Sequence, residues 1–133
     1  MIVVDANLLV YFFVAGPGSA RAERVMRRDP AWAAPLLWRS EFRNAMLGVV
    51  RRGGLAREDA VQALREAERW MRGREYSVVS EEVLDLAVGS GCSAYDCEYV
   101  AMAQDLGIPL VTADRQVLAS FPRTAISPEA FAR

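Results

Sequence analysis

The sequence predicts an α/β fold: a mostly parallel central sheet with helices on both of its faces. Three observations lead there. Apolar runs of strand length, such as Ile2-Val3-Val4 and Leu110-Val111-Thr112, alternate along the chain with longer segments of helical periodicity. Those short runs are apolar throughout rather than every second residue, as expected of strands covered on both faces. Gly, Pro, Asp, Asn or Ser punctuates nearly every junction, so the segments are separate elements. A strand that returns through a helix pairs in parallel with its neighbour.

The elements follow in order. The first strand is Ile2 to Asp5, and a short helix runs from Asn7 to about Val14. Ala15-Gly16-Pro17-Gly18 is a turn, and Ser19 is placed to cap a helix through Arg28. Asp29-Pro30 breaks that helix, and Trp32 to Pro35 reads as a short strand. A longer helix spans Leu37 to Arg52, where Gly53-Gly54 stops it. The next covers Arg57 to Arg72, with Val61, Leu64, Ala67 and Met71 near helical spacing. Tyr76 to Val79 is a strand, and Ser80 is positioned to cap a helix with Glu81 and Glu82 in its positive first turn. Gly89-Ser90-Gly91 ends it. Ser93 opens a helix that Gly107-Ile108-Pro109 closes. Leu110 to Thr112 is a buried strand, Asp114 starts a short helix to Ser120, and Thr124 to Ile126 is an edge strand. No repeat, low-complexity tract or linker divides the chain, so its 133 residues are expected to form one domain, residues 1–133.

Composition narrows the chemistry. Hydrophobic residues make up 53%, enough for a core. No apolar run approaches a membrane span, and the chain opens on a strand without a basic segment and apolar stretch of the signal type. A soluble, cytoplasmic protein is expected. There is no histidine, which removes Ser-His and Cys-His catalysis and a histidine base. Every basic residue is Arg, so lysine Schiff bases and a P-loop lysine are excluded too. Cys92 and Cys97 lack further partners for a zinc site and read as small packed thiols. Chemistry must rest on carboxylates, on metals, or on nothing. Residues 1–74 hold 13 Arg against 8 acids, a net +5, while residues 75–133 hold 3 Arg against 9 acids, a net −6. Charge alone favours solvated helix faces that differ by chance; the sharper alternative is an Arg-rich surface for a phosphate backbone with acids concentrated elsewhere.

In parallel α/β sheets, ligands bind outside the carboxyl ends of the strands. Asp5 ends the first strand, and Asp114 follows the Leu110-Val111-Thr112 strand. Asp96 lies in the first turn of its helix and Glu41 near the start of another, with Asn44 one turn beyond on the same face. Each acid has an ordinary explanation: Asp5 and Asp114 as helix caps, Asp96 in a capping box with Ser93, Glu41 as a first-turn acid. Capping alone does not require all four at ends that can face one cleft. Converging carboxylates repel, and a hard cation relieves the repulsion. Oxygen donors favour Mg²⁺ or Mn²⁺. Such a site hydrolyses phosphodiesters without histidine.

These residues resemble the PIN-domain ribonuclease family, and within it the toxin subunits of VapBC-type toxin–antitoxin pairs. The resemblance rests on three blocks in order: VVDANLLV, SEFRNAMLGVVRRG and AYDCEYVAMAQDLGIPLVTADRQVL. It implies a three-layer α/β/α PIN-like fold and metal-dependent cleavage of single-stranded RNA. Asp5, Glu41, Asp96 and Asp114 match the family's acidic cluster, with Asp5, Asp96 and Asp114 as the direct metal ligands and Glu41 acting through water or on a second ion. Asn7, Asn44 and Thr112 would orient carboxylates and waters, and Arg115 matches a basic position that touches phosphate. Some members carry another acid where this chain has Gln116, so one Mg²⁺ or Mn²⁺ is expected and the second is left open. Implied partners are RNA, a protein antitoxin and a second copy of the chain, with no membrane. Leu8, Leu9, Tyr11, Phe12 and Phe13 lie near the region where toxin relatives bind an antitoxin tail. The Arg-rich helices, carrying Arg21, Arg24, Arg27 and Arg28, then Arg39, Arg43, Arg51 and Arg52, would guide RNA to the acids. Any exposed Trp among Trp32, Trp38 and Trp70 would offer a stacking surface.

The rival reading is a catalytically inactive PIN-like module that binds RNA or protein. Phosphatases of the haloacid-dehalogenase type and receiver domains share the opening strand and Asp, but both need a lysine and a second acid near Asp5 that this chain lacks.

Overall fold

The structure, a computed structural model, describes residues 1–133. Five strands form one sheet: β1 (Ile2–Val4), β2 (Trp32–Pro35), β3 (Glu75–Tyr76), β4 (Leu110–Val111) and β5 (Ala125–Ile126). Their order is β3-β2-β1-β4-β5, and all four pairings are parallel. Every residue of β1, β2 and β4 is buried, which accounts for their unbroken apolar sequences.

The chain first winds outward from β1 through α1 (Ala6–Phe13) and α2 (Ser19–Arg28) to β2, then through α3 (Trp38–Arg51) and α4 (Arg57–Met71) to β3. It then returns through α5 (Ser80–Val88) and α6 (Ala94–Leu106) to lay β4 against the other side of β1, and α7 (Arg115–Ser120) leads to β5. The reversal of winding falls between β1 and β4. Beyond their carboxyl ends a crevice opens, the usual ligand position in this architecture.

One hydrophobic cluster spans the sheet and its helices. Helix α6 lies against β1, β2 and β4, with α5 packed on it. Accordingly Cys97, Tyr99, Val100, Ala101, Met102 and Ala103 are all buried, and α6 has no wide polar face. Gly107 ends it at φ 65°, a left-handed turn that an L side chain resists, and Ile108 N–H closes back on the Ala103 carbonyl at 3.0 Å. Trp32, Trp38 and Phe42 are the largest fully buried side chains, and Trp38 meets Phe42 edge-on at 5.7 Å. The Trp38 indole N–H donates to Glu75 Oε1 at 2.7 Å, and Arg39 Nε and Nη2 donate to the Glu75 carboxylate at 2.6 and 2.9 Å. This knot fastens the start of α3 to the edge strand β3.

Several local expectations are corrected. The third strand is Glu75–Tyr76 rather than Tyr76 to Val79, because Val79 already serves as the N-cap position of α5. Neither expected serine cap forms there or at α2. Gly18 precedes α2, and the Ser19 hydroxyl instead bonds the Tyr11 carbonyl at 2.9 Å and accepts from Gly16 N–H at 3.0 Å, bracing the turn. Ser80 is the first residue of α5, whose cap makes no side-chain bond. A terminal helix, α8 (Pro128–Phe131), was not expected. Its signal is Ser127-Pro128-Glu129: a serine cap accepting from Ala130 N–H at 3.2 Å, proline in the first turn and an acid beside it.

Candidate metal centre

The register of β1 and β4 builds the centre of the site. Val4 pairs with Val111, so Asp5 and Thr112 follow side by side. Thr112 Oγ1 donates to Asp5 Oδ2 at 2.6 Å and accepts from Asp114 N–H at 3.1 Å. Asp5 is also the N-cap of α1: its Oδ1 accepts from Leu8 N–H at 2.9 Å. Asp114 caps α7 in the same way, accepting from Val117 N–H at 2.9 Å. Capping is therefore real at both positions. It fixes each carboxylate at a strand end while leaving lone pairs on its oxygens for other work.

Asp96 reaches the site from the first turn of α6. Ser93 Oγ accepts from its N–H at 3.0 Å, which anchors the turn. Glu41 comes from α3, where Leu37, Ser40, Glu41, Asn44 and Ala45 form one stripe at helical spacing along the cleft. The buried Tyr99 hydroxyl of α6 donates to Glu41 Oε1 at 2.6 Å and ties the two walls together.

All four acids line one cavity of about 420 Å³. Asn7, Asn44 and Thr112 line it as well, so seven of the eight residues singled out by sequence share this space. Arg115, the first residue of α7, is exposed and does not line the cavity. A smaller hollow of about 230 Å³ adjoins it, sharing Asp5, Asn7 and Asp114, with Arg21 on its wall.

The electrostatics are one-sided. The chain's ion pairs lie elsewhere, and none involves Asp5, Glu41, Asp96 or Asp114. Burial pushes the Asp5 carboxyl above its ordinary range. The bonds from Thr112 and Leu8 oppose that, while the charges of Asp114 and Asp96 add to it. Glu41 is raised by burial against the pull of Tyr99, with Asp96 and Asp5 pushing the same way as burial. Asp96 is raised by burial and then by Asp114. The acids thus sense one another across the cavity. No three of them are drawn together as ready ligands to a single point. Mutual repulsion favours such spacing. It also suits an ion that keeps several waters and takes only one or two carboxylates directly, as Mg²⁺ does. The donors are all oxygen, as a hard cation requires.

The guiding arginines divide. Arg21 is held by Glu129 at 2.8 Å and Arg39 by Glu75. Arg24, Arg27, Arg28, Arg43, Arg51 and Arg52 are exposed with no acid partner. Trp32 and Trp38 are core residues, whereas Trp70 is partly exposed, with the Arg74 guanidinium 5.4 Å from its ring centre. Sequence reasoning placed Tyr99 on its helix but missed its bond to Glu41. The available signal was its place three residues after Asp96, on the same helical face.

The chain is similar to known proteins in sequence and in fold. The family model described as PIN domain matches residues 2–126. Ribonuclease VapC3 of Pyrobaculum aerophilum is 31% identical over 124 residues, which cover 91% of this chain and 95% of that protein. The crystal structure of PAE2754 from Pyrobaculum aerophilum superposes with a TM-score of 0.77 at 26% identity, covering 98% of this chain and 92% of that one. A toxin–antitoxin complex from Klebsiella pneumoniae shares the fold at a TM-score of 0.71 and 19% identity, covering 96% of this chain and 98% of that one. With a family model spanning nearly every element, and a ribonuclease relative matched over nine-tenths of the sequence, the chain belongs to the PIN domain family.

Proposed function

We propose that this protein is an endoribonuclease that uses Mg²⁺ or Mn²⁺ to hydrolyse phosphodiester bonds in single-stranded RNA. The observation that carries the reading is the cavity at the β1–β4 switch point, lined by Asp5, Glu41, Asp96 and Asp114 with no basic partner for any of them. Four unpaired acids in one cleft oppose folding unless a cation offsets them. The ribonuclease relative supports RNA as the substrate.

Asp5, Asp96 and Asp114 are the residues assigned to hold the ion, one or two of them directly and the rest through its waters. When bound, it supplies Lewis acidity, which offsets charge on the phosphate and makes water a better nucleophile. The chain's own groups do the rest. Thr112 and the α1 amide fix the rotamer of Asp5, so its remaining lone pairs face the cavity in one orientation. Tyr99 occupies Oε1 of Glu41, leaving Oε2 to accept a proton from the attacking water. Burial raises the basicity of that carboxylate and improves it for this task. Asn7 and Asn44 present amides to waters and phosphate oxygens in the same space. Exposed arginines on α2 and α3 draw in the RNA backbone that the acids alone would repel. Arg115, at the rim, takes a neighbouring phosphate. Gln116 donates to the Gly91 carbonyl at 2.7 Å, which ties α7 to the loop before α6 and favours a single ion.

We also assign the protein as the toxin of a toxin–antitoxin pair, acting in the cytoplasm. The Klebsiella pneumoniae complex shows that the shared fold serves in such assemblies.

The test uses a labelled single-stranded RNA, with Mg²⁺ or Mn²⁺ and then with EDTA. Cleavage is expected only with metal, and Asp5→Asn and Asp96→Asn are expected to abolish it. Asparagine keeps Oδ1 for the Leu8 amide and turns its Nδ2 to Thr112 Oγ1 as a donor, so Asp5→Asn retains the cap and is expected to keep the fold by circular dichroism. Cleavage undiminished in EDTA refutes the metal role. RNA binding without cleavage at saturating metal identifies the inactive binding module instead. Expression in a bacterial host is expected to arrest growth, and a small adjacent reading frame to relieve it. Growth without arrest by a nuclease-active protein rejects the toxin assignment.

A further inference from the structure

The most exposed aromatic ring of the chain stands on the wall of its most acidic cavity. Tyr95 is 65% exposed, and among the Trp, Tyr and Phe side chains only Trp70, at 39%, is also classed as exposed. Trp70 carries the Arg74 guanidinium over its face, but Tyr95 has no such cover. Its ring is not packed against the hydrophobic core, and its hydroxyl makes no hydrogen bond within the protein. It nevertheless lines the same cavity as Asp5, Asp96 and Asp114, immediately before Asp96 in the first turn of α6. Nothing in folding accounts for a large ring at this place.

We propose that Tyr95 is a stacking platform for one nucleobase of single-stranded RNA, beside the phosphate held at the acids. This rests on the nuclease reading above and adds the substrate feature that the site selects. Single strands present unpaired bases whose faces are free, whereas a duplex hides them. Stacking does not depend on charge, so it attracts RNA at the point where the acids repel the backbone most. A tyrosine ring gives up little side-chain freedom on contact. Its backbone in the first turn of a well-packed helix keeps the ring close to Asp96, and therefore a stacked base close to the cleaved bond. Cleavage would then follow a register set by Tyr95 and would require an unpaired base there.

Binding of a labelled single-stranded RNA is measured by fluorescence anisotropy in the non-cleaving Asp5→Asn background, with cleavage by the unmodified protein followed in parallel. Tyr95→Ala is expected to weaken binding by about 5- to 150-fold, the range usual for losing one stacked base. Tyr95→Phe and Tyr95→Trp are expected to bind normally. An abasic site scanned along the RNA should erase the Tyr95→Ala penalty at one position only. Equal binding by Tyr95→Ala, with cleavage by the unmodified protein intact, overturns this inference alone. So does a Tyr95→Phe defect as large as that of Tyr95→Ala, since the hydroxyl rather than the ring face would then be the contact. If the unmodified protein neither cuts nor binds RNA, both this inference and the nuclease reading fall.

Discussion

At the residue scale, two hydroxyl groups hold the acids in place. Thr112 is buried, and its hydroxyl both donates to Asp5 and accepts from Asp114 N–H. Thr112→Val keeps the shape and removes both bonds. Cleavage is expected to fall by about 10- to 100-fold, as when an outer partner of a metal ligand is lost, with RNA binding nearly unchanged. Tyr99→Phe likewise keeps the ring in the core but frees Glu41. The expected result is a loss of kcat without a matching rise in KM, read from initial rates against RNA concentration. A KM effect alone would mean that Glu41 binds RNA rather than handling the water proton. Of these two groups, Thr112 was legible in sequence because it sits at a strand end between two motif residues. Tyr99 was not, because a tyrosine in the buried stretch of α6, three residues after Asp96, looks like any core aromatic until its partner on another helix is known.

At the element scale, the knot between α3 and β3 governs acid stability. Glu75 accepts from Trp38 and twice from Arg39, and the Arg39 bonds hold its carboxyl below the ordinary range, helped by Trp38 and opposed by partial burial. A carboxyl depressed in the folded state stabilises above its ordinary pKa, and that contribution is lost as pH falls through the depressed value. Glu75→Gln is therefore expected to lower Tm at neutral pH and to narrow the gap to the parent protein as the solution is acidified, measured by thermal melts across pH. A gap that widens in acid would contradict the ion pair. Element by element, sequence reading found the parallel strands from their apolar runs, α4 from its apolar periodicity, and α1, α3 and α6 from the caps and breakers that bound them. It missed α8, whose four residues are too few for periodicity, and extended β3 into Val78-Val79, since β-branched residues suit a strand as well as the extended turn that precedes α5.

At the scale of the whole molecule, the acids in the cleft work against the fold. Asp5, Glu41 and Asp96 all have carboxyls raised first by burial and then by neighbouring acids, Asp114 among them for Asp5 and Asp96. A raised folded-state pKa gives stability that is present at low pH and lost as pH rises through the raised value. Metal-free protein is therefore expected to lose stability as pH rises above the ordinary carboxylate range and these groups ionise. Mg²⁺ or Mn²⁺ should raise Tm, by more at about pH 7.5 than at about pH 5, because the ion binds the ionised form. Differential scanning fluorimetry with and without EDTA checks this, and an equal shift at both pH values would argue against carboxylate ligation. That the four acids would meet was readable from their positions at strand ends and helix starts. That they would line a cavity without closing on a single point was not, since spacing in sequence says nothing about a separation set by repulsion.

The Thr112–Asp5 bond joins residues 107 positions apart. Synthesis proceeds from the first strand onward, so a growing polypeptide exposes its opening Asp long before β4 has been made to sit beside it. A chain halted anywhere upstream of Leu110 lacks Thr112 and Asp114 altogether. The cleft that gathers the four acids comes into being only when β4 is laid against β1, and unfinished copies emerging from a ribosome lack it.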